Sequence, residues 1–211
     1  MGAMMAVTPS FEIEDDFDGV IAGVDEAGRG PWAGPVVAAA VVLDRETMPE
    51  GLRDSKTLTE KRRKELAGAL WQCARIGVGV SSVDEIDQMN ILRASLLAMS
   101  RAVANLPVVP AIALVDGHIK PKLRCPAYTV IKGDAKSFSI AAASIIAKTT
   151  RDRMMRELAR DYPDYQWQKN KGYGAPAHRE ALDRCGVTPH HRKSFAPIHK
   201  MLYSESSDSL C

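Results

Sequence analysis

The sequence predicts an α/β domain: a mixed sheet of five strands, flanked by helices and followed by a basic, helical C-terminal extension. Three observations carry that prediction. Short runs are apolar throughout rather than alternating, Val36 to Leu43 (VVAAAVVL) most clearly, as in strands covered on both faces. Longer stretches between them place apolar residues at helical spacing behind Ser or Thr caps. The order is roughly three strands with one helix among them, then helix, strand, strand and helix, which fits a single layered domain.

Residues 1–18 are acidic and aperiodic and are expected as a flexible lead-in, with Met1 to Met4 resembling an expression remnant. Gly19 to Asp25 is the first strand, and Val36 to Leu43 follows a Gly/Pro-rich turn as the second. Thr57 and Glu60 have capping-box spacing ahead of Leu66, Leu70 and Cys73, which predicts a helix. Ile76 to Val80 is the third strand. Ser82 and Glu85 open one long helix with Met89, Leu96 and Val103 on a face, ended by Pro107 and Pro110. Ala111 to Asp116 and Tyr128 to Ile131 are the fourth and fifth strands. Ser137 to about Arg160 is a helix rich in small residues, suited to close packing on a sheet. Pro176 to Cys185 is a short helix stopped by Gly186. The domain is expected over 19–203, helical from about 162, with a polar tail at 204–211. Trp32, Trp71 and Trp167 are read as packing residues.

Composition narrows the function. Of 211 residues, 45% are hydrophobic and 26% charged, as in ordinary globular proteins. No apolar run approaches the roughly 20 residues that span a bilayer, so no membrane role is expected. The four cysteines are far apart and form no C-x-x-C pair. Free thiols in a reduced, cytoplasmic protein are the expectation. The net charge of +2 hides an asymmetry: residues 1–117 hold 11 basic and 17 acidic residues, whereas 118–200 hold 17 and 7. A basic half of that kind suits a polyanion such as nucleic acid, although uneven surface charge alone would look the same.

Acids follow three of the apolar strands: Asp25-Glu26 after the first, Asp116 at the end of the fourth, and Asp134 shortly after the fifth. In open α/β sheets, ligands gather outside the carboxyl ends of the strands. If the first and fourth strands are parallel neighbours, these acids share one rim. Gathered carboxylates repel one another, and a hard divalent cation relieves that repulsion. With no paired His or Cys nearby, Mg²⁺ or Mn²⁺ is expected rather than zinc, as two ions serving a phosphoryl displacement. Turn and helix capping is the competing explanation for each acid taken alone. Asp152, four residues after Lys148, reads as half of a helical ion pair.

From Gly23 to Gly30 (GVDEAGRG), with Pro31, Gly34 and Pro35, the chain resembles bacterial ribonucleases HII, the type 2 ribonucleases H. The resemblance continues through Asp54-Ser55-Lys56, Ile86-Asp87 with Asn90-Ile91, Leu114 to Gly117, and Lys132-Gly133-Asp134 with Lys136-Ser137. It then runs through Ala142 to Lys148, Arg151 to Arg153, Lys171-Gly172-Tyr173, and His191-Arg192 with Ser194-Phe195, covering about residues 19 to 202. It implies the ribonuclease H fold, with Asp25, Glu26, Asp116 and Asp134 as the catalytic metal site and Asp152 behind it. It implies cleavage of RNA–DNA hybrids, and of duplex DNA 5′ of single embedded ribonucleotides, leaving 3′-hydroxyl and 5′-phosphate ends.

Gly28-Arg29-Gly30 would then present bare backbone to the 2′ hydroxyl. Tyr173 would lay its ring on the next sugar. Lys56, Asn90, Lys136, Ser137, Lys169, Lys171, Arg192 and Lys193 would be phosphate contacts. His190 and His191 are read as structural rather than as a general base. A monomer is expected. The competing functions are another polynucleotidyl transferase of this fold, resolvase-like, and a non-catalytic hybrid binder.

Overall fold

The computed structural model describes residues 8–203. Five strands form one mixed sheet: β1 (Ile21–Ala27), β2 (Val36–Val42), β3 (Arg75–Ser81), β4 (Ile112–Asp116) and β5 (Ala127–Val130). Their order is β3-β2-β1-β4-β5. β2 pairs antiparallel with both β1 and β3, while β1, β4 and β5 run parallel. The condition set by the sequence is met: β1 and β4 are parallel neighbours. Val24 lies opposite Val115, which puts Asp25 and Asp116 at the next positions along the pair.

Every residue of β2 is buried, as its unbroken apolar run requires. One face is covered by α1 (Glu60–Cys73) and α4 (Phe138–Asp161), whose Leu66, Leu70, Ala142, Ile145 and Ile146 pack on Ala39 and Val41. The other is covered by α3 (Ile91–Ala104), whose Ala94, Ala98 and Ala102 meet Val24, Ala38 and Ala40. The short helices α5 (Trp167–Asn170), α6 (Pro176–Cys185) and α7 (Ala196–Tyr203) surround Trp167, Leu182 and Ile198. Met155 and Ala159 of α4 belong to that same cluster, so α4 serves both the sheet and the C-terminal region.

The structure departs from the sequence expectations in several places. Thr57 ends a 3₁₀ turn (Ser55–Thr57) closed by the Asp54 side chain, and the cap of α1 is Thr59, whose hydroxyl accepts from Arg62 N–H at 3.2 Å. The expected long helix is two: α2 (Val83–Met89), opened by the Ser82/Glu85 capping box, and α3. They meet at Asn90, whose φ of 70° breaks the helix while its Oδ1 caps α3 at Arg93 N–H. Trp71 is 52% exposed rather than packed.

The lead-in expected over 1–18 is docked where it is described. Glu14 is buried and accepts from Ser137 Oγ at 2.7 Å and Ser139 N–H at 3.0 Å, and Phe11 packs against Phe138. The rest of that expectation, residues 1–7, and the expected tail 204–211 lie outside the described residues. Among the described residues no helix is long and apolar enough to cross a membrane.

Candidate active site

The parallel strands bring their carboxyl ends to one edge, and four acids stand there. Asp25 and Glu26 close β1, Asp116 closes β4, and Asp134 sits in a 3₁₀ turn (Gly133–Ala135) after β5. Asp116 accepts from Gly133 N–H at 2.6 Å, which ties that turn to the end of β4. Asp25 accepts from the N–H of Glu26 at 2.7 Å. Glu26 pairs with Arg29 at 3.2 Å, and Asp134 with Lys56 at 3.4 Å.

Asp25 and Asp134 are 5% and 6% exposed, too buried to be solvated carboxylates. Burial holds the Asp25 carboxyl well above the usual range, the charges of Glu26 and Asp116 push it further, and a Ser144 hydrogen bond opposes this in part. Burial also raises Glu26 despite Arg29, and it raises Asp134, with Asp54 and Asp116 adding to the effect. The donor set is all oxygen, which fits a hard divalent cation. Among the described residues no group of three His, Cys, Asp or Glu side chains is placed to hold a metal ion as it stands. Glu26 and Asp134 instead face Arg29 and Lys56. A crevice of about 160 Å³ lies beside Glu26 and Asp116, walled by Leu92, Leu96 and Met99. A larger apolar groove toward the C-terminal end of α3, near Val109 and Cys125, includes none of the four acids.

Next to the rim runs the Gly28-Arg29-Gly30 loop. Gly28 has φ +102°, and a Cβ there would fall 2.0 Å from Arg151 Nε, so no other residue fits. Two buried arginines hold this loop and the segment that follows it, to Pro35, from behind. Arg192 donates to the carbonyls of Gly28 (2.5 Å), Arg29 (2.9 Å), Gly34 (2.9 Å) and Pro35 (3.3 Å). Arg151 donates to Pro35 (3.0 Å), Ala33 (3.1 Å) and Lys171 (3.0 Å). Burial lowers their pKa values to about 9 and about 10, which leaves both charged at neutral pH.

Arg192 therefore does not sit at a phosphate as the sequence suggested. It is wholly buried, and its donors are spent on backbone carbonyls. Ser137 is corrected likewise: it is buried, caps α4 at Ile140 N–H and donates to Glu14.

Tyr173 is half exposed, and its ring edge lies 3.4 Å from where a Cβ of Gly30 would stand. The Gly172 carbonyl accepts from Trp32 N–H at 2.8 Å, which joins the tyrosine segment to the glycine loop. Lys136, Lys169 and Lys193 are exposed, and Lys56 is exposed at the acid rim. Asn90 is exposed but serves as a cap. Lys171 is partly buried and donates to the Gln168 carbonyl. Asp152 is buried and paired with Lys148 at 2.6 Å, as the helical spacing predicted. His191 is buried, and Thr188 N–H points at its Nδ1.

Sequence reasoning missed the roles of Arg151, His178, Glu14 and Asp87, the last accepting from Lys193 N–H, Ser194 N–H and Ser194 Oγ. The chain showed no signal that Arg151, His178 and Glu14 are buried, because polar and charged residues are surface residues by default.

Comparison with known proteins points to one family. The family described as Ribonuclease HII matches residues 22–203. A ribonuclease HII of Ruegeria pomeroyi is 59% identical over 186 residues, 88% of this chain and 80% of that one. One of Jannaschia sp. is 54% identical over 195 residues, 92% of this chain and 98% of that one. Among solved structures, the ribonuclease H2 from Pyrococcus horikoshii is similar with a TM-score of 0.75 and 30% identity, covering 89% of this chain and 99% of its own.

Proposed function

The chain belongs to the ribonuclease HII family and is a ribonuclease H hydrolase, and on that premise we propose that it cuts the RNA strand of RNA–DNA hybrids and cuts duplex DNA 5′ of single embedded ribonucleotides. The observation that carries this reading is the adjacency of two features. Four acids share the edge of β1, β4 and β5, and a glycine loop with an overhanging tyrosine begins two residues further along the chain.

Asp25, Glu26, Asp116 and Asp134 would hold Mg²⁺ or Mn²⁺, two ions, which supply an activated water and neutralise the departing 3′ oxygen. Glu26 and Asp134 would then leave Arg29 and Lys56. Those two cations stand within reach of the rim and would turn to the substrate phosphates, so the acids and the bases exchange partners on loading. Arg29 and Lys56, with Lys136, Lys171 and Asn90, position the duplex without reading sequence. The Gly28-Arg29-Gly30 backbone reads the 2′ hydroxyl, and the Tyr173 ring lies on the next sugar. Asp152 orients Lys148 and its own helix behind the acids. One copy contains every residue in this scheme, in keeping with a monomer.

The test is cleavage of a labelled DNA duplex carrying one ribonucleotide, with Mg²⁺ or Mn²⁺, beside an all-DNA control. One metal-dependent cut 5′ of the ribonucleotide, lost in Asp116→Asn while binding persists, is the expected result. Cutting of a long hybrid alone would remove the roles given to the loop and Tyr173. Cutting of an all-DNA four-way junction would favour a resolvase-like activity, and no cutting at all a hybrid binder.

A further inference from the structure

Tyr173 has a glycine on either side, and hydrogen bonds hold that segment: the Gly172 carbonyl accepts from Trp32 N–H at 2.8 Å, and the Gly174 carbonyl accepts from Arg179 Nε–H at 2.9 Å. Its carbonyl accepts from Ala175 N–H at 2.8 Å and lies 2.8 Å from Nδ1 of His178. A carbonyl oxygen can only accept, so Nδ1 of His178 must carry its proton. The other end of the network follows by the same rule. Thr188 N–H points at Nδ1 of His191 at 2.9 Å, and an N–H can only donate, so that Nδ1 is bare and the His191 proton is on Nε2. Nε2 of His191 faces Nε2 of His178 at 3.0 Å, and Trp167 Nε1–H points to the same His178 nitrogen at 3.2 Å. The assignments are mutually consistent, with the His191 and Trp167 donors sharing the one lone pair of His178 Nε2. Hydrogen bonds run in one direction, from Thr188 through His191 and His178 to the carbonyl of Tyr173.

Both imidazoles are wholly buried. Burial pushes both below the ordinary histidine range, His191 to about 3, so the relay stays neutral at working pH. His191 also directly precedes Arg192, whose guanidinium holds the Gly28 and Arg29 carbonyls. A two-residue segment thus reaches both halves of the proposed sugar reader.

Resting on the reading of Tyr173 as a sugar contact, we propose that His178 is a positioning residue for Tyr173, acting through its Nδ1–H bond to the carbonyl, with His191 fixing the tautomer that makes this bond possible. Together they set how sharply the enzyme distinguishes a ribonucleotide–deoxyribonucleotide junction from a continuous hybrid.

Two isosteres separate this role from simple packing. An asparagine amide nitrogen stands near the place of Nδ1, and a glutamine amide near that of Nε2. His178→Asn keeps the hold on Tyr173 and loses the His191 end, while His178→Gln does the reverse. The readout is the ratio of cleavage rates on the single-ribonucleotide duplex and on a continuous hybrid. His178→Asn should keep that ratio near wild type, and His178→Gln should lower it about tenfold, the scale of a small displacement at a reacting site.

If both variants shift the ratio alike, in step with their loss of Tm, His178 only packs and the proposal fails. Tyr173→Ala separates the two readings. If it leaves the ratio unchanged, the sugar contact itself falls. If it lowers the ratio and His178→Gln does not, only the role of His178 falls. Nitrogen-15 NMR of the unmutated protein needs no variant to fold: it should show His178 protonated at Nδ1 and His191 at Nε2, and the opposite tautomers would overturn the relay.

Discussion

Asp25 and Arg192 are buried to almost the same depth, one at the acid rim and one behind the glycine loop, yet their surroundings are opposite. Asp25 stands against two further carboxylates and is raised well above its ordinary pKa. Arg192 has its donors on four backbone carbonyls and keeps its charge. The rim stores repulsion that a cation can release. The anchor is satisfied within the protein and asks for nothing from a ligand. On the proposed function, chemistry and recognition have different physical states: one poised to change on loading, the other fixed before the substrate arrives.

The largest test of this contrast is a pair of variants at the rim and the anchor. Asp25→Asn should reduce cleavage by at least ~100-fold, beyond what disturbing a ligand's support costs, while raising Tm in EDTA because a repelled buried charge is gone. Arg192→Met should do the reverse to stability. Hydrogen bonds to charged groups contribute about 1.5–3 kcal/mol each, so losing this set should cost about 3 kcal/mol or more by urea unfolding. Arg192→Lys should not restore it, because an ammonium cannot reproduce the planar fork. A stable Arg192→Met protein with normal cleavage would break the comparison.

A smaller effect sharpens it. Mg²⁺ at about 100 times its Kd should stabilise the protein by about 2.7 kcal/mol, and Asp134→Asn should lose much of that gain while Arg192→Lys keeps it. Thermal shift with and without the ion reads this directly.

The smallest expected effect, taken per pH unit, is in the pH profile without divalent ions, where the two regions have opposite signs. His191 is held near pKa 3 in the fold, below its unfolded value of about 6.5. Between those values the unfolded chain binds the proton and the fold does not. Stability should therefore fall as pH drops below about 6.5, by at most about 1.4 kcal/mol per unit for this group. The rim acids are raised in the fold, so their repulsion destabilises at neutral pH and is relieved as pH falls through their raised values. The Tm advantage of Asp25→Asn should shrink as pH falls, and an advantage that grows would contradict the raised carboxyl.

The two regions also differed in how much the chain revealed. Apolar strands ending in Asp25 and Asp116 announce themselves, because strand runs have a recognisable pattern and their ends gather ligands. The five strands and the mixed sheet were legible for the same reason. The anchor was not. Arg192 looks like any surface arginine until the loop closes over it, and Glu14, set in an acidic lead-in, gives no sign that Ser137 and Ser139 will bury it. The break at Asn90 hid inside a continuous helical pattern, because one left-handed residue changes no spacing. Buried polar networks are made of long-range pairings, and local sequence carries no trace of them.

Helix α4 has one more consequence. Ser144 reaches Asp25, Arg151 reaches the glycine loop, and Met155 lies under Gly34. Seven residues separate Ser144 from Arg151, nearly two turns and about 10.5 Å of axis. On the proposed function, the helix is a gauge between the place of cutting and the place of reading, graduated in turns. Its side chains can drift without changing that interval. One inserted residue would rotate the second mark by about 100°, and the cut would lose its address.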